Sequence, residues 1–392
     1  MNHLIIMSTK DIEKRLEILG GDSKFDSCGL PRHFEAKWTD RFIYRARGEG
    51  GFCVNLFKIL QTNSCKNNCL YCANRRDRDF ARFSFSSQEL ARIFMINYQK
   101  RKVQGLFLTS AVDKDANISQ ERMLETVKIL RKNYGYQGYI HLKILPGVDK
   151  KLIVEAAKLS DRISLNLEAP GEIYLSKIAE EKNMEQILIP TLEKMVEVNR
   201  IMPLKAGITT QLIIGTGQES DRDIIFFADK IYGIYNIKRI YYSGFSPIKY
   251  TPLEHHPACS NLREYRIYQA DFLLRKYGFK KEEIVFDESG NLLLEKDPKL
   301  VWAEKHPEKF PLEINKLSYE ELLRIPGIGV NSARKIIEFR KARKITSLED
   351  LKKLVPSLKR VQNFVTLNGK FFPCSKKSQL PPPKQLFFWE EF

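Results

Sequence analysis

Between Gly105 and Tyr242 the chain alternates short apolar runs with longer amphipathic stretches. GLFLTS (105–110), GYIHLKIL (138–145), RISLNLE (162–168) and AGITTQLII (206–214) are rich in β-branched or aromatic residues and bounded by turn-formers, the signature of buried strands. KRIYYSGF (238–245) predicts another strand, and VNLFKIL (54–60) the first of the series. The stretches between them carry the helical period. Ser86 and Glu89 stand at capping-box spacing ahead of LARIFMINYQKRK, and further helices are expected over 119–132, 149–160, 184–200 and 220–235. Strand–helix alternation with short connections implies a parallel sheet with right-handed crossovers. About six βα units are too many for a small sandwich and too few for a closed eight-fold barrel. The expected fold is therefore α/β, an incomplete barrel.

Past residue 286 the pattern changes. DESGNLLLEKDPKLVWAEKHPEKFPLEINKLS (287–318) sets Pro298, Pro307 and Pro311 among many charges and reads as a connection. A compact helical region follows to about residue 368, and CSKKSQLPPPKQLFFWEEF ends the chain as a lysine- and proline-rich linker with an aromatic peptide. The expected divisions are an extension over 1–50, the barrel over 51–290, a connection over 291–316, a helical domain over 317–368 and a flexible tail over 369–392.

Composition narrows the class. The 392 residues are 43% hydrophobic and 29% charged, which describes a folded chain and not a disordered one. The opening MNHLIIMSTK lacks the apolar length of a secretory signal, and no later stretch approaches the roughly 20 apolar residues of a membrane span. A cytoplasmic protein without membrane association is expected, and there clustered cysteines more often hold metal than form disulfides. The formal net charge of +17 favours a polyanionic partner, with a generally basic proteome as the bland alternative.

TNSCKNNCLYCANR (62–75) puts Cys65, Cys69 and Cys72 into eight consecutive positions, after the first strand and before the first long helix. That places them in a loop at the carboxyl end of a barrel strand, where such barrels carry active sites. A cubane iron–sulfur cluster normally takes four thiolates, so three leave one iron open for an exogenous ligand. A zinc or redox site with a fourth ligand such as Cys53 or His141 is the alternative. The isolated Cys28, Cys53, Cys259 and Cys374 read as buried or incidental thiols.

Cys-x3-Cys-x2-Cys with Tyr71 just before the third cysteine resembles the signature of the radical S-adenosylmethionine (radical SAM) superfamily. The resemblance implies a [4Fe-4S] cluster whose open iron chelates the amino and carboxylate groups of S-adenosylmethionine. Reduction then cleaves the cofactor to methionine and a 5′-deoxyadenosyl radical that abstracts hydrogen from a substrate. It also implies cofactor contacts. Thr109 and Ser110 hold the place where the superfamily often has a GGE-like run, and Asn166 and Glu168 resemble an Asn-x-acid pattern that faces the ribose. Gln211 on the following strand is expected with them. Lys143 is expected to pair either with the methionine carboxylate or with Glu168, and LIIGTGQE (212–219) to pack beside adenine. Cys259 is a candidate hydrogen-atom donor.

LLRIPGIGVNSARKII (322–337) resembles the helix-hairpin-helix motif of DNA repair proteins. Gly327 and Gly329 are expected to adopt torsions that a side chain would forbid, with Ile328 between them. The following helix offers free first-turn amides to a phosphate. Arg334 and Lys335 lie in its first turns, with Arg340, Lys341, Arg343 and Lys344 beyond. Such a module grips phosphates without reading bases. A helical hairpin for protein contacts alone is the other reading.

Taken together, the chain from about residue 9 to 367 resembles a bacterial family of radical SAM proteins associated with DNA modification or repair. That resemblance implies a partial (βα)6 TIM-like barrel of the radical SAM type with a C-terminal all-α helix-hairpin-helix domain. It also implies DNA as the substrate context, a flavodoxin- or ferredoxin-type reductant, and a uracil-DNA-glycosylase-like partner. An RNA-modifying enzyme and a non-catalytic iron–sulfur protein that binds nucleic acid are the competing readings. The QLFFW peptide (385–389) resembles sliding-clamp ligands, with docking back on its own chain as the alternative.

Overall fold

The computed structural model describes residues 9–26, 42–47 and 53–373; Cys28, Cys374 and the QLFFW peptide lie outside them. By internal contacts the chain divides into two compact units. The first holds the described residues up to 219 together with 230–264, and the second holds 220–229 and the described residues from 265 onward.

The first unit opens with helix α1 (Thr9–Asp22) and strand β1 (Ile43–Arg47). The alternating part then runs β2 (Cys53–Leu60), α2 (Ser87–Gln99), β3 (Gly105–Thr109), α3 (Ala116–Lys128), β4 (Tyr139–Lys143), α4 (Lys150–Leu159) and β5 (Arg162–Glu168). It continues with the short α5 (Glu172–Leu175), α6 (Ile189–Ile201), β6 (Ile208–Ile214), α7 (Asp221–Tyr235), whose residues 221–229 belong to the second unit, and β7 (Arg239–Gly244). Seven strands pair in sequence order from β1 to β7. Strands β2 to β7 are all parallel, as the alternation requires, and β1 adds antiparallel to β2 with Ile43 opposite Phe57. With β1 and β7 as its two edges, the sheet is a curled half-barrel.

The strands are buried along their length. Leu106, Phe107 and Leu108 of β3 are fully enclosed, which is why this strand reads as a continuous apolar run and not an alternating one. The helices cover the outer face with stripes such as Leu90, Ala91 and Phe94 of α2. The capping box at Ser86 and Glu89 is formed, each side chain bonding the other's backbone amide.

The second unit continues α8 (Asn261–Tyr277) into α9 (Pro298–Lys305), β8 (Leu312–Glu313), α10 (Tyr319–Arg324) and α11 (Val330–Ala342). It ends with α12 (Leu348–Leu354), α13 (Leu358–Val361), β9 (Val365–Leu367) and β10 (Lys370–Phe371). A small sheet of β8, β9 and β10 therefore accompanies the helices. Residues 291–316 are folded as well. Arg266 is wholly buried and its guanidinium donates twice to Leu294 O (2.9 and 2.7 Å) and once to Gln269 Oε1 (2.7 Å). Gln269 in turn donates to Asp297 (2.7 Å), whose carboxylate caps α9 at the amides of Lys299 and Leu300. Trp302 of that helix is buried among the rings of Phe279 and Phe310.

Candidate active site and nucleic-acid hairpin

Cys65, Cys69 and Cys72 follow β2 and line one cavity at the carboxyl ends of the parallel strands. Arg82 shapes the loop that carries them. Its guanidinium donates to five carbonyls, those of Asn63, Asn74, Arg75, Arg76 and Arg78, while lying over the Phe80 ring at 3.9 Å. A planar fork with five donors suits this task as a lysine would not.

Each following strand brings polar groups to the same cavity. Thr109 and Ser110 come from the end of β3, Lys143 from β4, Asn166 and Glu168 from β5, and Gln211 from β6. Tyr71 reaches it from the cysteine loop. All the cofactor contacts named from the sequence thus converge, from positions up to 146 residues apart (Cys65 to Gln211). Strand alternation alone does not set Asn166 and Glu168. The β5–β6 register shifts between them, and Glu168 takes a left-handed φ of +68°, a strained state for a non-glycine residue.

The electrostatics separate into two groups. Glu168 accepts from Lys182 at 2.7 Å, and Lys182 also donates to the Tyr71 hydroxyl at 3.3 Å. Burial opposes the Lys182 charge, yet Cys69 and Glu168 beside it hold its pKa well above the usual range. Burial and then Glu168 push the Tyr71 hydroxyl well up. Across the cavity, Lys143 pairs with Asp26 at 3.2 Å and donates to Asn166 Oδ1. The Asp26 carboxylate also accepts from Thr109 Oγ1 (2.8 Å) and Asn166 Nδ2 (3.1 Å). Burial opposes ionisation of Asp26, but Lys143 and Thr109 outweigh it and lower its pKa. The acidic partner weighed for Lys143 in the sequence, Glu168, is thus held by Lys182, and Asp26 stands in its place.

Three further expectations find their positions. His141 is buried, shares a hydrogen bond with Ser164 Oγ (2.7 Å) and meets the Phe107 ring edge-on at 4.4 Å. Burial, then Arg162 and Lys143, hold its pKa well below the ordinary value, so it is neutral filling of the barrel. In the 212–219 stretch the Glu219 carboxylate accepts from the amides of Gly215 (2.5 Å) and Gly217 (2.8 Å), closing the turn on itself, while Ile213 reaches the cavity. Cys259 packs its Cβ against Gly215 and Gly244 and is not among the residues lining the cavity.

The donor set fits an iron–sulfur cluster. Burial, and then the neighbouring thiols Cys69 and Cys65, push the pKa of Cys72 far up, and burial does the same for Cys69. Closely set buried thiols resist ionising together, and a cationic metal centre supplies the charge that lets them ligate. Among the described residues no three His, Cys, Asp or Glu side chains converge on a single metal ion. A four-iron cluster instead takes one thiolate per iron at separate corners. The facing carboxylate, amide and ammonium groups suit a cofactor that is part amino acid and part nucleoside.

The second unit carries the glycine hairpin. Ser318 caps α10 with a full capping box to Glu321. Gly327 takes φ +87°, and a Cβ there would lie 2.8 Å from Arg360 Cβ and 3.0 Å from Val361 Cγ2. Gly329 is the N-cap of α11 at φ −109°, ordinary extended backbone, so only Gly327 needs the left-handed region that the sequence suggested for both. Ile325, Ile328, Ala333 and Ile336 are fully buried, while Arg334 and Lys335 are exposed. Arg340 donates to Ile314 O (3.3 Å) and Leu317 O (2.5 Å), and Arg343 pairs with Asp350 at 2.7 Å, so these two serve the unit's own structure.

Asp26, Lys182, Arg82 and Lys299, a buried lysine of α9, were not singled out by sequence. Each is a charged residue whose partners lie elsewhere in the chain or on its backbone, and no local pattern marks them.

Comparison with known proteins agrees with the geometry. Residues 59–231 match the radical SAM superfamily and residues 309–362 match the helix-hairpin-helix motif, a nucleic-acid-binding element. An uncharacterized protein of Methanocaldococcus jannaschii is 25% identical over 215 residues, 52% of this chain and 52% of that protein. Among solved structures, the FeFe-hydrogenase maturase HydG from Carboxydothermus hydrogenoformans is similar at 15% identity and a TM-score of 0.46, over 55% of this chain and 50% of that one. Methylornithine synthase is similar at 16% identity and a TM-score of 0.44, over 55% and 61%. The chain spans about half the length of the relatives it matches. No described helix is long and apolar enough to cross a membrane. The chain carries a radical SAM domain, of the superfamily that uses a [4Fe-4S] cluster and S-adenosylmethionine, followed by a helix-hairpin-helix motif.

Proposed function

We propose that this protein is a radical SAM enzyme that modifies or repairs DNA by abstracting a hydrogen atom from a nucleotide. The observation that carries the reading is the convergence of Cys65, Cys69 and Cys72 with Lys143, Asn166, Glu168 and Gln211 on one cavity, in a chain that also holds a helix-hairpin-helix motif. Cys65, Cys69 and Cys72 would hold the cluster, leaving one iron for S-adenosylmethionine. The bound pair supplies, on one-electron reduction, the radical that abstracts hydrogen. Lys182 and Lys143 are the cations available to the cofactor carboxylate, and Asn166 and Glu168 the groups available to its ribose. Gly327, Ile328 and Gly329, with Arg334 and Lys335, would grip the DNA backbone without regard to sequence.

A nucleotide in a duplex has to leave the stack to reach such a cavity, which costs a few kcal/mol and least at damaged sites. Tyr250 is suited to receive it. It is 73% exposed after β7 and held at φ +63°, with its amide bonded to Glu254 at 2.8 Å. Arg78 donates to the backbone carbonyl of the preceding residue, Lys249, at 3.0 Å. A bulky residue kept in a strained conformation and left in solvent favours a base-stacking role. Tyr241 and Phe245 of the same stretch are buried. A cytoplasmic setting supplies the reduced thiols and the flavodoxin- or ferredoxin-type electron donor, and a uracil-DNA-glycosylase-like protein is the expected companion.

The test is anaerobic turnover with dithionite, following 5′-deoxyadenosine by liquid chromatography. Formation stimulated by duplex DNA carrying mismatched or damaged sites supports the reading. Stimulation by RNA alone transfers the activity to RNA, and no cofactor cleavage under any condition removes it.

A further inference from the structure

The hairpin between α10 and α11 turns two backbone carbonyls inward. Leu323 O belongs to the last turn of α10, where carbonyls have no partner within the helix and carry the negative end of its dipole. Ile328 O precedes the α11 N-cap. Two such oxygens converging in the protein interior repel each other unless a donor lies between them.

The donor is a buried ammonium. Lys299 of α9 is 6% exposed, and its Nζ donates to Leu323 O at 3.1 Å and to Ile328 O at 2.5 Å. The same Nζ lies 4.4 Å from the centre of the Tyr277 ring. An ammonium has donors for both carbonyls and no acceptor to mismatch, and its charge is attracted to the ring face. The helix that delivers it is fixed through Arg266, Gln269 and Asp297, which set the start of α9.

We propose that Lys299 is a positioning residue of the phosphate-binding hairpin: its ammonium is a built-in cation beneath the loop, making the hairpin's grip on nucleic acid independent of any bound metal ion. This rests on the nucleic-acid reading above. Lys299 locks the inner face of the loop at Leu323 and Ile328. Beyond it, Gly329 is the N-cap of α11 and has no side chain to accept from the first-turn amides, the end of the helix at which a phosphate would sit. Lys299 touches no phosphate itself. It acts through loop geometry and through a positive charge placed under the site, where little solvent screens it.

The test uses the full chain and a sequence-random DNA duplex, with affinity measured by fluorescence anisotropy across a salt series. Lys299→Met is expected to weaken binding at least about tenfold while leaving the salt slope unchanged, because no phosphate contact is lost. Lys335→Ala should instead flatten that slope by about one. In Lys299→Met, potassium should restore affinity relative to tetramethylammonium at equal ionic strength, since a bare cation can satisfy the two carbonyls. Wild-type protein should bind equally well in either salt. Wild-type affinity that depends on potassium would overturn the proposal, whether or not the methionine variant folds, because it would mean that a metal ion serves the loop. Normal affinity in Lys299→Met beside a weakened Lys335→Ala would also overturn it while leaving the nucleic-acid reading intact. Wild-type protein that binds no nucleic acid would overturn both.

Discussion

The two glycines of the hairpin should behave differently when given a side chain. Gly327→Ala forces a Cβ into a left-handed backbone at φ +87°, with Arg360 Cβ at 2.8 Å and Val361 Cγ2 at 3.0 Å from the added atom. Placing an alanine in that torsion costs on the order of 1–2 kcal/mol. Relieving the two contacts costs roughly 1–3 kcal/mol more, because neither is the free end of a flexible chain. The expected loss of local stability is therefore about 2–5 kcal/mol. Gly329→Ala, at φ −109°, incurs no torsional penalty and should lose less than about 1 kcal/mol. The chain has two units, so one global melting curve would mix them. Amide hydrogen exchange over residues 322–337 reads the hairpin directly as a local opening free energy. Faster exchange in Gly327→Ala by about thirtyfold or more, with Gly329→Ala near wild type, is the predicted result. Equal acceleration in both variants would refute the reasoning, because it would show that the hairpin's glycines are needed for space and not for torsion.

Other outcomes follow from the cavity. Lys182→Met leaves Glu168 buried without its cation and should cost about 3–5 kcal/mol, part of which Glu168→Gln in the same chain recovers; a double-mutant cycle of opening free energies from amide hydrogen exchange over β5 measures the coupling. His141 has a folded-state pKa below its unfolded value, so the unfolded chain takes up the proton first. Its contribution is intact above about pH 6.5 and is lost as pH falls below that, at up to about 1.4 kcal/mol per pH unit. Urea midpoints taken from pH 7 to pH 5 should drop less steeply in His141→Gln than in wild type. Arg82→Lys keeps the charge but replaces a five-donor fork with three donors, so some of the five loop carbonyls lose their partner. Iron retained per chain after anaerobic desalting should fall even though all three cysteines remain.

Local signals in the sequence carried much of this architecture. The parallel strands are marked by β-branched runs, α2 by its Ser86–Glu89 box, the cavity's cysteine loop by its spacing and the hairpin by Gly327. What stayed hidden depends on partners far away in the chain. IYRAR of β1 has the composition of a solvated segment and becomes a strand because β2 offers it an edge. Asp26 reaches Asn166 across 140 positions, and nothing near it announces a cavity. Lys182 reads as surface until Glu168 is placed beside it. The bulge between Asn166 and Glu168 breaks the two-residue alternation of β5, yet both still meet the cavity. Prolines and charges made residues 291–316 look like a connection, because the buried roles of Arg266, Lys299 and Trp302 are tertiary and not periodic.

On the proposed function, Cys65, Cys69 and Cys72 would hold a four-iron cluster with one iron left open to S-adenosylmethionine. The measurement that tests it most directly is the electron paramagnetic resonance spectrum of the anaerobically reconstituted, reduced protein, recorded with and without S-adenosylmethionine. A four-iron signal that shifts when the cofactor is added, and is lost in the Cys69→Ala variant, is expected. A cluster signal indifferent to the cofactor, or zinc in place of iron, would contradict it.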